Sequence, residues 1–175
     1  MSSIKTYTGV MFDPLNPESE LIDILDIAHA LSMLCRANGH FRSFYSVGQH
    51  CINCAMEAKA RGYSKRVQLA CLLHDASEAY LSDVTRPVKH ELPKYLEIEK
   101  PLQESIWQKY LGSALTEEEN SQVFRIDDAM LYGLVHNSSR ADPCACRNVY
   151  AGSCNRCVYR YARNCHLGCD RNNLN

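Results

Sequence analysis

The segment Leu72-Leu73-His74-Asp75-Ala76-Ser77-Glu78 puts a histidine and an aspartate directly after two leucines that must face a core. A carboxylate carried inward with them is costly unless it is paired or bound to a cation. Neutral imidazole and carboxylate are both good ligands for Zn, Mn, Fe, Co or Mg ions, and an adjacent pair on one helix can converge on one ion. A lone His-Asp pair also fits an interfacial histidine beside an exposed aspartate, so other helices must decide. Val123, Ile126, Met130, Leu131 and Leu134 form one apolar stripe at helical spacing. Asp127 lies in the middle of that stripe and Asp128 points off it, which makes Asp127 the acid in need of a buried partner. His50 opens another helix on the face it shares with Cys54. His50, His74, Asp75 and Asp127 together make a nitrogen and oxygen site for one divalent ion, with positions left for water or substrate. Such a site suits hydrolysis, because the ion lowers the pKa of a bound water.

The elements that must hold these residues can be read from periodicity and breaks. Ile4 to Phe12 alternates around Gly9 and reads as a short hairpin or extended arm, ended by Asp13-Pro14 and Asn16-Pro17. Ile24, Ile27, Ala28, Leu31 and Leu34 predict a helix that stops before Asn38-Gly39. Ser46 caps a helix to about Arg61, and Ser64 opens one running to about Tyr80 with His74 and Asp75 inside it. Asp83 to Pro93 reads as a loop with two prolines. A helix carrying Leu102, Ile106 and Tyr110 follows, and Thr116 with Glu119 has capping-box spacing for a last helix to about Tyr132. The fold class is therefore all-α, with a domain over 1–136 and a different tail over 137–175.

Composition bounds the function. The chain has 175 residues, 46% apolar and 22% charged, with a formal net charge of −1. That is enough for one cored domain and gives no global positive field for nucleic acid, so no stable nucleic-acid complex is expected. No apolar run approaches the roughly 20 residues of a membrane span, and Met1 to Gly9 lacks a signal-peptide core. The expected location is the cytoplasm, where the ten cysteines read as thiols or metal ligands. Cys35, Cys51, Cys54 and Cys71 are most simply small core residues.

The His, His-Asp, distant-Asp pattern resembles the HD-domain metal-dependent phosphohydrolases. Thr6-Tyr7-Thr8-Gly9, Phe12-Asp13-Pro14, Asp26-Ile27-Ala28-His29-Ala30-Leu31-Ser32, Phe44-Tyr45-Ser46-Val47-Gly48-Gln49-His50 and His74-Asp75-Ala76-Ser77-Glu78-Ala79-Tyr80 look like a small, often prophage- or phage-encoded branch. Arg86-Pro87-Val88-Lys89 and Ile126-Asp127-Asp128-Ala129-Met130-Leu131-Tyr132 continue it, so the resemblance covers about Lys5 to Tyr132. The chain is similar, more distantly, to bacterial 5′-deoxynucleotidases. The resemblance implies an HD-type helical bundle with its metal in a central pocket. It also implies that Glu78 and Asp83 activate or relay protons to the attacking water. Glu78, four residues after His74, shares its helical face. A phosphate needs cationic donors, for which Arg42, Arg86 and Lys89 are candidates. His90 and His136 raise a second ion, but one ion is the expectation.

The implied activity is hydrolysis of a nucleotide phosphate monoester, or of another phosphate ester. Release of triphosphate from a deoxynucleoside triphosphate is an alternative, and a non-catalytic nucleotide-sensing or interaction module is another. Related domains are often dimeric, which keeps a homodimer open by analogy. The family pattern stops near Tyr132, where Leu134 stands at an ordinarily acidic position. The tail then carries Cys144-x-Cys146, Cys154-x2-Cys157 and Cys165-x3-Cys169 beside His166. Two converging pairs could bind a structural zinc. A flexible or partly oxidised tail, or a C-terminus replaced by a local reading-frame change, are the other readings.

Overall fold

A computed structural model of the chain describes residues 3–41 and 44–136, with the side chains of 132–136 excepted. The protein is mostly helical. Seven helices follow a two-stranded hairpin: α1 Ile24–Met33, α2 Val47–Ala60, α3 Lys65–Leu73, α4 Glu78–Leu81, α5 Arg86–Lys89, α6 Pro93–Leu111 and α7 Glu117–His136. Among the described residues no helix is long and apolar enough to cross a membrane. The Cys-rich tail and its proposed zinc lie outside the described residues.

The hairpin pairs β1 (Ile4–Lys5) with β2 (Met11–Phe12) antiparallel. Gly9 turns it at φ 93°, where only glycine is unstrained. Thr8 ties the turn to α1, donating its N–H to Asp26 Oδ1 (2.7 Å) and its hydroxyl to Oδ2 (3.0 Å). Phe12 is thereby driven into the core against Tyr80.

Capping chemistry sets the helix starts as the sequence predicts. Ser46 accepts from Gln49 N–H while Gln49 Oε1 accepts from Ser46 N–H, a reciprocal box at the head of α2. Ser64 accepts from Val67 N–H, and Thr116 with Glu119 closes the same box before α7. Helix α7 runs to His136, one turn beyond the expected end.

Two apolar clusters form the interior. Phe12, Ile22, Ile27, Leu31, Leu73, Leu102 and Ile106 build one, and Ala58, Val67, Ala70, Val123 and Ile126 build the other. Helix α2 runs along the seam between them, giving Cys51 to the first and Cys54 to the second, and packs most extensively on α3. His50 lies in the first turn of α2 and is fully buried.

Candidate metal centre

Three elements distant in sequence deliver the site. His50 comes from the first turn of α2 and Asp127 from the middle of α7. His74 and Asp75 were expected inside a continuous helix, and the structure corrects this. Helix α3 ends at Leu73, residues 74–77 form turns, and α4 starts at Glu78. The backbone stays right-handed but tightens, with Ala76 N–H on Leu73 O and Glu78 N–H on Asp75 O, three residues back.

The cause is Gln103 of α6, which is buried. Its Oε1 accepts from Ser77 N–H at 3.0 Å, and its Nε2 donates to Leu73 O at 2.7 Å. Those two backbone groups would pair with each other in an uninterrupted α-helix. The glutamine amide is inserted between them. The interrupted turn carries His74 and Asp75 toward the seam. The expected geometry of Glu78, one continuous helical turn after His74, is corrected by the same break.

The donor atoms converge. His50 Nε2 lies 3.2 Å from His74 Nε2, 2.9 Å from Asp127 Oδ1 and 3.8 Å from Asp75 Oδ2. His74 Nε2 is 3.2 Å from Asp75 Oδ2 and 3.6 Å from Asp127 Oδ1. Donors about 2.0–2.2 Å from one ion stand roughly 2.9–3.5 Å apart in octahedral or tetrahedral arrangements, and the pairs His50–His74, His50–Asp127 and His74–Asp75 have that spacing. His74 Nδ1 lies 2.8 Å from Cys71 O, which can only accept. That fixes the hydrogen on Nδ1 and leaves Nε2 as the lone-pair nitrogen of the neutral ring. Two overlapping groups have ligand atoms within 4.8 Å of one another: His50, Cys54, His74 and Asp127 form one, and Cys51, His74 and Asp75 the other, so His74 is common to both and the four expected ligands are divided between them.

Protein charges of both signs meet in the site. Arg36 puts Nη1 2.7 Å from Asp75 Oδ2 and Nη2 3.2 Å from Asp127 Oδ1. Burial opposes ionisation of Asp75, but His74 and Arg36 outweigh it and hold its carboxyl below the usual range. Burial likewise opposes the charge on Asp127, and the neighbouring His50 and His74 rings depress its pKa overall. Burial lowers His50. It also works against a charged His74, yet Asp75 raises that ring well above its ordinary value.

The other candidate residues divide. Arg86 reaches the site, with Nη2 3.0 Å from Asp127 Oδ2 and Nη1 2.9 Å from Asp128 Oδ1, from a one-turn helix where an irregular loop was expected. Asp128 is exposed, in keeping with its off-stripe phase. Lys89 is engaged by Glu99 at 2.7 Å and Glu78 at 3.4 Å, so it steadies acids around the site rather than standing free for substrate. Glu78 is buried, and its Oε2 has no hydrogen-bond partner among the described residues. Burial first, then Asp75 and Asp83, push it up to about 9. Asp83 Oδ2 accepts the Ala37 N–H at 3.0 Å, which anchors the turn that presents Arg36. Arg42 lies outside the described residues. His90 is exposed beyond α5, and the His136 side chain is not described.

No family model matches the chain. Its sequence is similar to two uncharacterized bacterial proteins. One is YfdR of Escherichia coli, 38% identical over 112 residues, which are 63% of this chain and 59% of that protein. The other is a protein of Rhodobacter capsulatus, 40% identical over 101 residues, 54% of this chain and 51% of that protein. The matches thus span less than two thirds of the length of either relative.

Arg36, Gln103 and the two cysteines escaped the sequence reading of the site. Arg36 carries no periodicity, since it follows the end of α1 in a left-handed turn with Ala37, Asn38 and Gly39 at φ 53°, 52° and 78°. Gln103 follows the core residue Leu102, and its burial was the available signal.

Proposed function

We propose that the chain is a metal-dependent phosphohydrolase of the HD type, acting on a nucleotide phosphate monoester. The observation that carries this reading is the convergence of His50 Nε2, His74 Nε2, Asp75 Oδ2 and Asp127 Oδ1 from three separate elements, with two guanidinium groups beside them. Those four side chains would hold the ion. A divalent ion there supplies a lowered pKa for water and offsets the negative charge of a phosphoryl group.

The remaining work falls to the protein's own groups. Arg86, the more exposed guanidinium, presents a planar, two-pronged donor at the rim, the geometry that suits phosphate oxygens, while Arg36 holds Asp75 and Asp127 in place. Glu78 keeps a proton at neutral pH, and Oε2, which lacks a partner among the described residues, is the atom able to pass it to a departing oxygen. Lys89 and Glu99 fix the other oxygen of that carboxyl in place. Asp83 acts on the turn that follows Arg36, so its role is positional.

A screen of nucleotides and simple phosphate esters with Mn, Co, Mg and Zn tests the reading, with phosphate against triphosphate release separating monoesterase from triphosphohydrolase. Asp127→Ala should abolish both metal binding and turnover. Nucleotide hydrolysis that survives this change would refute the mechanism.

A further inference from the structure

Cys54 lies one helical turn after His50 on α2, so the rotation that aims His50 at the centre also aims Cys54. Its Sγ is 3.5 Å from His50 Nε2 and 3.8 Å from Nδ1, and those are its hydrogen-bond-range contacts. Its sulfur and the ligand atoms of His50, His74 and Asp127 lie within 4.8 Å of one another. Two ligands spaced i and i+4 on one helix face form a natural chelate. Thiolate and imidazole nitrogen on one ion, with bonds of about 2.3 Å and about 2.0 Å, stand roughly 3.1–3.5 Å apart. The observed separation is at the upper end of that range.

Charge points the same way. Arg36 already binds both carboxylates. A divalent ion added to Arg36 places three positive charges against the two of Asp75 and Asp127, while Arg86 is matched by Asp128. One thiolate closes that difference.

We propose that Cys54 adds a sulfur ligand to an ion held by His50, His74 and Asp127, making a mixed nitrogen, oxygen and sulfur centre that selects Zn, Co or Fe(II) over Mg. On ligation the Sγ–H bond breaks and an Sγ–metal bond forms, with the proton released to solvent and no electron transferred. Soft thiolate disfavours magnesium, whose preferred ligands are oxygens. Cys51 is set on the side of His74 and Asp75 and packs in the opposite core, so it is the internal control. The inference rests on the metal centre proposed above but is independent of which ester is hydrolysed.

The test is cobalt titration of the full chain, with the six cysteines from Cys144 to Cys169 changed to serine in every sample. The expected result is one bound cobalt and a near-ultraviolet thiolate-to-cobalt absorption that excess magnesium does not remove. Cys54→Ser should lose that absorption while still binding cobalt, Cys51→Ser should keep it, and Asp127→Ala should lose the bound ion. Cys54→Ala, which buries no hydroxyl, repeats the sulfur removal where serine disturbs folding. Cobalt bound without the absorption, or an absorption that survives both Cys54 changes, overturns the sulfur ligand and leaves the metal centre standing. Failure of the centre to bind cobalt overturns both.

Discussion

Replacing Gln103 by leucine keeps the side-chain bulk and removes both amide hydrogen bonds, at 3.0 Å to Ser77 N–H and 2.7 Å to Leu73 O. Leu73 O keeps Ala76 N–H as a donor at 3.1 Å, so the group left orphaned is Ser77 N–H. A buried unsatisfied donor costs about 1–3 kcal/mol and the second lost bond about 0.5–1.5 kcal/mol, together roughly 2–4 kcal/mol. The chain has one escape: Ser77 N–H can close onto Leu73 O and heal the helix. That recovers stability but moves His74 and Asp75 off the convergence point. The loss then shows in metal affinity, where removing a group that orients a ligand costs about 10–100-fold. Urea denaturation of metal-free protein and calorimetric titration with zinc or cobalt read the two terms separately. Gln103→Glu retains the acceptor for Ser77 and should fall between wild type and leucine. A leucine variant with unchanged unfolding midpoint and unchanged metal affinity would refute the idea that the inserted amide shapes the site.

Arg36→Ala should destabilise the metal-free protein by about 2–4 kcal/mol, less than breaking a fully buried pair because both carboxylates keep a histidine. Saturating zinc should restore part of that loss, as thermal melts with and without metal will show. Burial pushes Glu78 up to about 9, so the folded state binds its proton more tightly than the unfolded chain does. Stability of the metal-free protein therefore falls as pH rises from the ordinary glutamate range toward about 9, and Glu78→Gln should flatten that slope in urea titrations across the interval. Arg66 clamps the α6–α7 connection through Glu119 and the carbonyls of Leu111, Ser113 and Ala114. Arg66→Ala should cost about 1–2 kcal/mol and weaken metal binding only modestly, measured by the same melts and titrations.

Where a residue's environment follows from its own helix, the sequence was enough. Ser46, Ser64 and Thr116 each cap within four residues of themselves, and the phase of α7 separates Asp127 from the exposed Asp128 without any tertiary information. The break at His74 depends on Gln103, 29 residues later on another helix, and no local pattern encodes it. The short helix at Arg86–Lys89 was obscured by Pro87, which sits at its first turn, where the missing N–H does no harm. Arg36 was hidden for a different reason. Asn38-Gly39 marks the stop, but the left-handed backbone begins one residue earlier, at Ala37, which does not announce it and is held by Asp83 from across the fold. Lys89 looked like a phosphate donor because its acidic partners, Glu78 and Glu99, lie 11 and 10 residues away, on separate helices.

The bridge that Arg36 makes between Asp75 and Asp127 gives the centre a resident counter-ion. An arriving metal meets carboxylates already organised and neutralised, and it must share them with the guanidinium or push it aside. Filling and emptying the site would therefore change how two carboxylates are shared between cations, and would not be a folding event. Metal shortage would leave a folded reserve of this protein, ready to be refilled, and the free-metal level at which it switches on would be set by how tightly one arginine holds its ground.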